Sequence, residues 1–279
     1  MNILTEEKRV AVVAALVEGN SIRATVRMTG VAKKTVLKLL VDLGNACKEY
    51  QDKAFQNLQC KVLQVDEIWS FVGMKEKTAA RHYFHGRIGV GDAWTFTAID
   101  AESKLVPHWH VGQRDAKNAT TFIKGLAPRL AHRVQLTSDG LKAYITAVDK
   151  AFGNDIDFSQ LVKIYGPSLG PNGKYSPSEC VGTTVEKYKG KPKEGLISTS
   201  FVERQNLTMR MSMRRFTRLT NAFSKKIENL ECAIALHFMY YNFVRIHQTL
   251  RCSPAMRAGI TDRLWSIKDI VGLLDAKSK

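Results

Sequence analysis

Long apolar runs are missing from this sequence. The longest near its N-terminus, Val10 to Val17, falls far short of the ~20 residues a transmembrane helix needs. Acids as well as bases precede it, unlike a secretory signal, so a cytoplasmic protein with no membrane partner is expected. Cysteine pairs are missing too. The five cysteines, Cys47, Cys60, Cys180, Cys232 and Cys252, are scattered, with no C-x-x-C and no close Cys/His spacing, which excludes a zinc finger and a disulfide framework. There is no internal repeat and no low-complexity tract. Acids are scarce against bases: 26 Asp and Glu face 42 Lys and Arg, a net charge of +16. Hydrophobic residues at 44% and charged residues at 24% are ordinary for a folded protein, so the charge balance is the unusual quantity, and it favours a polyanionic partner.

Residues 5 to 19, TEEKRVAVVAALVEG, carry apolar residues at helical spacing with acids in the first turn and Gly19 at the close. SIRATVRMTG predicts a short helix ending at Gly30, and VAKKTVLKLLVDLGNACKEY a longer one. Three helices joined by glycine turns fit either a plain bundle or a helix-turn-helix. In the latter case the N-terminal residues of the last helix, Lys33, Lys34, Thr35 and Lys38, read bases in the major groove. From residue 61 the period changes. KVLQVDEIWSFVG, DAWTFTAID and KLVPHWHVG predict three strands, the last two joined by a turn around residues 101 to 103. DAKNATTFIKGLAPRLAH then reads as a helix, VQLTSDG as a strand, LKAYITAVDKAFG as a helix and LVKIYG as a strand. The expected fold is α/β, a mixed five-stranded sheet flanked by helices and preceded by a small all-α helix-turn-helix domain. The divisions predicted are 1–58, 59–250 and a C-terminal helical tail, 251–279. Residues 167–198, with four of the seven prolines and with Lys187, Lys189, Lys191 and Lys193, read as an irregular basic insertion. After it come an arginine-rich helix, a helix from about Ser224 through YYNFVRIHQTL, and a short one around WSIKDIVGLL. The stripe Ile227, Leu230, Ile234, Phe238 and Tyr241 is read as core.

Three acids stand out. Asp66 lies within the first strand among Val62, Val65, Ile68 and Val72, where an ionised carboxylate must be paired, hold a metal or go neutral. Glu67 beside it faces the other way, and one of the two could answer a buried arginine. Asp139 ends a strand at TSDG, where it could also cap the following helix. Glu203 completes a Ser200-x-x-Glu203 capping box, which accounts for the acid but not for the bases behind it, Arg204, Arg210, Arg214, Arg215 and Arg218. At steps of three and four, Glu203, Asn206, Leu207, Arg210 and Arg214 share one helix face. Asp66 and Asp139 are 73 residues apart, and Asp139 and Glu203 are 64 apart. If the first and fourth strands are neighbours, these acids converge, and three carboxylates with no His or Cys partner suit two hard divalent ions, Mg²⁺ or Mn²⁺.

VDEIWSFVG, TSDGLKAY and FVERQNLTMRMSMRRFTRLTNAFSKK resemble, in order, the motifs around the acids of DDE transposases of the insertion-sequence-one family, over about residues 61 to 250. NFVRIHQTLRCSP is similar to the tail that follows the catalytic core in many bacterial transposases. The resemblance implies a ribonuclease H-like fold with Asp66, Asp139 and Glu203 as metal-binding catalytic acids. It also implies metal-dependent cleavage and strand transfer at terminal inverted repeats. Some relatives begin with a zinc ribbon ahead of their helix-turn-helix, which the cysteine spacing here does not supply, and the segment from Pro167 to Ser198 makes the second interval between acids long.

Expected partners are double-stranded DNA, both element ends and target, with a homo-oligomer on the DNA, nucleoid association when bound, and no nucleotide cofactor. Arg210, Arg214, Arg215, Arg218 and Asn206 are expected to hold phosphates near the metals, with Lys187, Lys189 and Lys191 as further DNA contacts. A metal-dependent nuclease or resolvase on the same fold, or an inert DNA-binding regulator, are the alternatives.

Overall fold

The computed structural model describes residues 4–81, 89–166, 180–217 and 220–276. Three helices come first, α1 (Glu6–Val17), α2 (Ile22–Thr29) and α3 (Lys33–Ala54). The hydroxyls of Thr5 and Ser21 accept from the amides of Lys8 and Ala24, satisfying donors that have no partner within the first turn. Gly30 closes α2 at φ 68°, a left-handed conformation that glycine adopts without strain. Strand β1 (Val62–Val72) and a short helix α4 (Glu76–Arg81) follow. Next are β2 (Gly91–Asp100), β3 (His108–Gly112), α5 (Ala116–Leu126), β4 (Gln135–Ser138), α6 (Ala143–Phe152), β5 (Asp157–Tyr165) and β6 (Cys180–Lys189). The C-terminal helices are α7 (Ser200–Ser212), α8 (Ile227–Met239), α9 (Pro254–Arg257) and α10 (Ile267–Ala276). No described helix is long and apolar enough to cross a membrane, and all five cysteines are free.

The protein is α/β, with helices on a mixed, open six-stranded sheet of order β3-β2-β1-β4-β5-β6. β1 is parallel to β4 and β4 to β5; the other neighbours are antiparallel. Successive residues of a strand face opposite sides. Leu63 and Val65 therefore join Phe96, Phe122 and Tyr144 beneath α5 and α6, while Ile68 and Val72 join Val202, Met209, Leu230 and Phe238 beneath α7 and α8. Burial on both faces explains why β1 is apolar nearly throughout. The α8 stripe Leu230, Ile234, Phe238 and Tyr241 is core, with Ile227 packed against it.

The first helices share this core. α3 crosses α8 so closely that a Cβ on Gly44 would overlap the Cα and Cβ of Cys232. α10 packs on α1 and α3, with Arg9 and Asp275 paired at 2.9 Å.

Two expectations are corrected. The sheet has six strands, because residues 180–189, read as irregular, pair antiparallel with β5 from Ile164↔Gly182 to Phe158↔Lys189. Their Val, Thr and Tyr residues, together with Glu186, Lys187 and Lys189, suit an exposed edge strand; residues 167–179 lie outside the described set. The helix begun near Ser224 does not run through His247. It starts at Ile227 and widens into a π turn over Tyr240–Val244. There Asn242 accepts from the Val106 amide and donates to the Val106 carbonyl, both at 3.0 Å, holding the turn to the sheet.

Candidate active site

β1 overhangs β4. The last residues paired are Val65 and Ser138, so Asp66 and Glu67 project past the end of β4, and Asp139 is the next residue of that chain. This closes the long interval in sequence. Strand ends of this kind gather ligands because backbone and side chains there are free of the ladder. The buried amide of Gln160 donates to Ser138 Oγ, the Asp139 carbonyl and the Leu141 carbonyl at 2.9, 2.7 and 3.1 Å, fixing the turn that carries Asp139. Asp139 is not a helix cap: α6 begins at Ala143 without a side-chain cap, and Asp139 accepts instead from the Leu141 amide at 3.1 Å.

The other wall is α7, whose start is held by β1 itself. Gln64 Oε1 accepts from the amides of Phe201 and Val202 at 2.8 and 3.2 Å. The expected capping box does not form, because Thr199 and not Ser200 is the N-cap residue. With Gln64 satisfying the amides, Glu203 is left to accept from the Thr199 hydroxyl at 2.7 Å and from Lys163 Nζ through both oxygens at 2.6 Å.

Carboxylate oxygens of Asp66, Glu67 and Asp139 lie within 4.8 Å of one another, a group that could hold a metal ion. Glu203 lines the same cleft of about 570 Å³, with Asn206, Arg210 and Lys163. Glu67, with a side chain only 1% exposed, is the acid that answers an arginine, accepting from Arg114 Nε at 2.5 Å and from the Tyr144 hydroxyl at 3.1 Å. Arg114 also reaches Asp139 at 3.6 Å. Asp66 has no ion pair among the described residues. Its oxygens accept from its neighbour's amide and from Asn206 Nδ2, both at 2.8 Å. Burial, then the charges of Asp139 and Glu67, push its carboxyl up to about 7. Burial likewise raises Asp139, and raises Glu67 despite Arg114. Clustered carboxylates that outnumber the cations beside them are relieved by a proton or by a metal ion. The donors are all hard oxygens, and Asn206 Oδ1 is buried in the same cleft without a partner among the described residues, so the residues fit a hard divalent cation.

The residues expected to bind DNA separate into groups. Asn206 and Arg210 line the acid cleft. Arg214 and Arg215 do not, because α7 stops at Ser212 and both sit on a 3-10 turn beyond it, lining a different cleft together with Lys33. This corrects the single helix face drawn through Arg214. Lys34 is exposed at the start of α3 and Thr35 half-buried, while Lys38 is tied to Asp42 at 2.5 Å. Lys187 pairs with Glu194 at 2.7 Å and Lys189 with Asp149; the Lys191 amide donates to Asp157. None of these three lines the acid cleft. Arg218 lies outside the described residues.

Sequence reasoning missed Arg114, Tyr144, Lys163 and Thr199. Arg114, Tyr144 and Lys163 each support an acid from a distant segment, and nothing in their local pattern marks them, whereas Thr199 lies only one helical turn before Glu203. Compared with models of known protein families and with curated proteins, the chain matches none.

Proposed function

We propose that the protein is a DDE transposase, which cuts DNA at the terminal inverted repeats of an insertion sequence and joins the freed 3′ ends to target DNA. The observation that carries this reading is the convergence of Asp66, Asp139 and Glu203 from three distant segments on one cleft at the end of β4. The sheet order and strand directions are compatible with a ribonuclease H-like fold. The motif resemblance and the charge of +16 point to the same polyanionic substrate.

Asp66, Asp139 and Glu203, with Glu67 adjacent, would hold two Mg²⁺ or Mn²⁺ ions. Bound there, the ions supply charge that activates the attacking water or 3′ hydroxyl and neutralises the leaving oxygen. The protein's own groups do the positioning. Asn206 orients the Asp66 carboxylate. Arg114 bridges Glu67 and Asp139 and keeps their oxygens turned into the cleft. Lys163 and Thr199 fix the Glu203 carboxylate. Arg210, one turn beyond Asn206 on α7, is placed to take a backbone phosphate.

Incubation with a labelled duplex carrying the element's ends, a target plasmid and Mg²⁺ tests the reading. Joined strands are expected, and none from Asp66→Asn, Asp139→Asn or Glu203→Gln proteins that still shift the duplex in a gel. Cleavage at the wild-type rate by any of these variants removes that residue from the site. Nicks without joining replace the transposase with a nuclease.

A further inference from the structure

The acid cleft is not the largest concavity. Another, of about 1740 Å³, opens at the far end of α7, between α2, the turn Arg214–Phe216 and the segment leading into α8. Arg23 and Arg27 reach it from α2, Arg214 and Arg215 from the turn, and Lys225 and Lys226 from ahead of α8. Eight basic side chains line it, and Glu18 is the sole carboxylate among the described lining residues. Like charges face each other across it: partial burial and the charge of Arg23 both depress the Lys225 ammonium. Arg215 lies deeper. Its guanidinium donates to the Ser224 hydroxyl at 2.5 Å, has no carboxylate partner among the described residues, and is pulled down by burial to about 10. His237, 3% exposed, lines the same cleft with both ring nitrogens unpartnered among the described residues.

A half-buried guanidinium whose side-chain partner is a hydroxyl, in a wall of cations, is costly until an anion arrives. One small anion would satisfy one or two of these groups. Eight cations spread along a groove match a chain of phosphates. α7 joins the two clefts, because Arg210 lines the first while Met211 and Ser212 line the second. At 1.5 Å per residue, Ser212 lies about 14 Å along the axis from Glu203, roughly four phosphates of one duplex strand.

We propose that this second cleft is a channel for the DNA phosphodiester backbone as it leaves the acid cleft along α7, with Arg215 anchoring one phosphate. The proposal rests on the reading that the protein acts on DNA, and it assigns Arg23, Arg27, Lys225 and Lys226 to that substrate.

The test is fluorescence anisotropy of a labelled duplex of arbitrary sequence against the full chain over a salt series. The variants are Lys225→Ala/Lys226→Ala and Arg23→Ala/Arg27→Ala. All four residues are exposed, so folding should be retained, with circular dichroism as the check. Each pair should flatten the slope of log K against log salt by about 1.8, at ~0.9 per lost phosphate contact, and weaken binding at least about tenfold near physiological salt. The Asp66→Asn protein should keep the wild-type slope. Wild-type affinity and slope in both pairs overturn the channel, even if strand joining is seen. The expected slopes in a protein that never cuts DNA keep the channel and overturn the transposase. Tighter capture of RNA or of an acidic polypeptide than of DNA overturns the assignment of the ligand.

Discussion

The two ends of α7 hold opposite chemistry. At its start, four carboxylates crowd a cleft in which Asp66, between Asp139 and Glu67, has no ion pair among the described residues. At its end, a wider cleft gathers cations around Arg215, which has a hydroxyl where a carboxylate would be expected. Elsewhere the surface mixes its signs in ordinary pairs, such as Arg9–Asp275, Lys187–Glu194 and Arg263–Asp269. Such pairs are worth little individually. Asp66 and Arg215, which have no ion pair among the described residues, are worth more as information, because a fold keeps uncompensated charge where a ligand of the opposite sign relieves it. One end of the helix suits metal cations and the other a polyanion.

The comparison breaks most visibly if the two ends cannot be separated by mutation. Asp66→Asn should lower DNA cleavage by on the order of a thousandfold or more, about 4 kcal/mol of transition-state stabilisation, and leave duplex affinity unchanged. A matching loss of binding, measured by anisotropy under the same salt, would mean that the acids hold DNA and do not only act on it.

The next effect is on stability and sets the sign of the acid cleft. Asp66 keeps its proton in the folded protein up to about pH 7, against an ordinary value of 3.8. Between these values the folded state binds more protons than the unfolded chain, so metal-free stability falls as pH rises from about 4 to about 7 and stays low above that. At ~1.36 kcal/mol per unit the loss is at most about 4 kcal/mol. Thermal melts should show wild-type protein losing stability across this window and Asp66→Asn losing less. At pH 8, Mg²⁺ should raise the wild-type melting temperature and leave that of Asp66→Asn nearly unchanged. A wild-type curve that rises from pH 4 to 7 would show that Asp66 is compensated some other way.

A third effect concerns how the basic cleft is assembled. One of its walls, α2, is positioned through α3, and α3 rests on α8 where Gly44 meets Cys232. Gly44→Val should force the two helices apart and cost about 1–3 kcal/mol by overpacking. Duplex affinity should fall with it, while Mn²⁺ binding at the acid cleft stays as in wild type. Loss of both together would mean that the two clefts do not fold separately.

Much of this arrangement was legible in the residues. The pair Asp66 and Glu67 stands out because Val, Leu and Ile surround it on both strand faces, and burial of a charge needs a reason, but the pattern alone does not choose between the two; the structure buries Glu67 and leaves Asp66 half-buried. The order of strands and helices from residue 61 to 165 follows from period and turn residues, apart from the short helix α4 (Glu76–Arg81), which the pattern did not anticipate. The partition of α7 was not legible, because helical spacing through Arg214 continues smoothly in sequence past Ser212, where the backbone departs from it. β6 was hidden by lysines that an exposed edge strand tolerates. Gln64 was invisible as a cap because its partners, Phe201 and Val202, are far away along the chain. Lys163 was hidden in the same way, since an ion pair across the fold leaves no local periodicity.

The Lys163–Glu203 pair offers the smallest and sharpest test of the acid cleft. Glu203 lines the cleft, but the group within 4.8 Å is Asp66, Glu67 and Asp139, and both Glu203 oxygens are taken by Lys163. If Glu203 binds the ions, its lysine competes with them, and Lys163→Met should tighten Mn²⁺ binding by removing both the competitor and one positive charge. The side chains are 31% and 40% exposed, so solvent screening holds the gain below about 1 kcal/mol, a few-fold in affinity. Glu203→Gln alone should weaken Mn²⁺ binding, and in its presence Lys163→Met should have less effect, since the competition disappears with the carboxylate. Mn²⁺ titrations of wild type, the two single variants and the double variant give the coupling directly. If Lys163→Met changes affinity equally with and without the Glu203→Gln substitution, the lysine acts only through the general field of the cleft, and Glu203 is a neighbour of the metal-binding acids and not one of them.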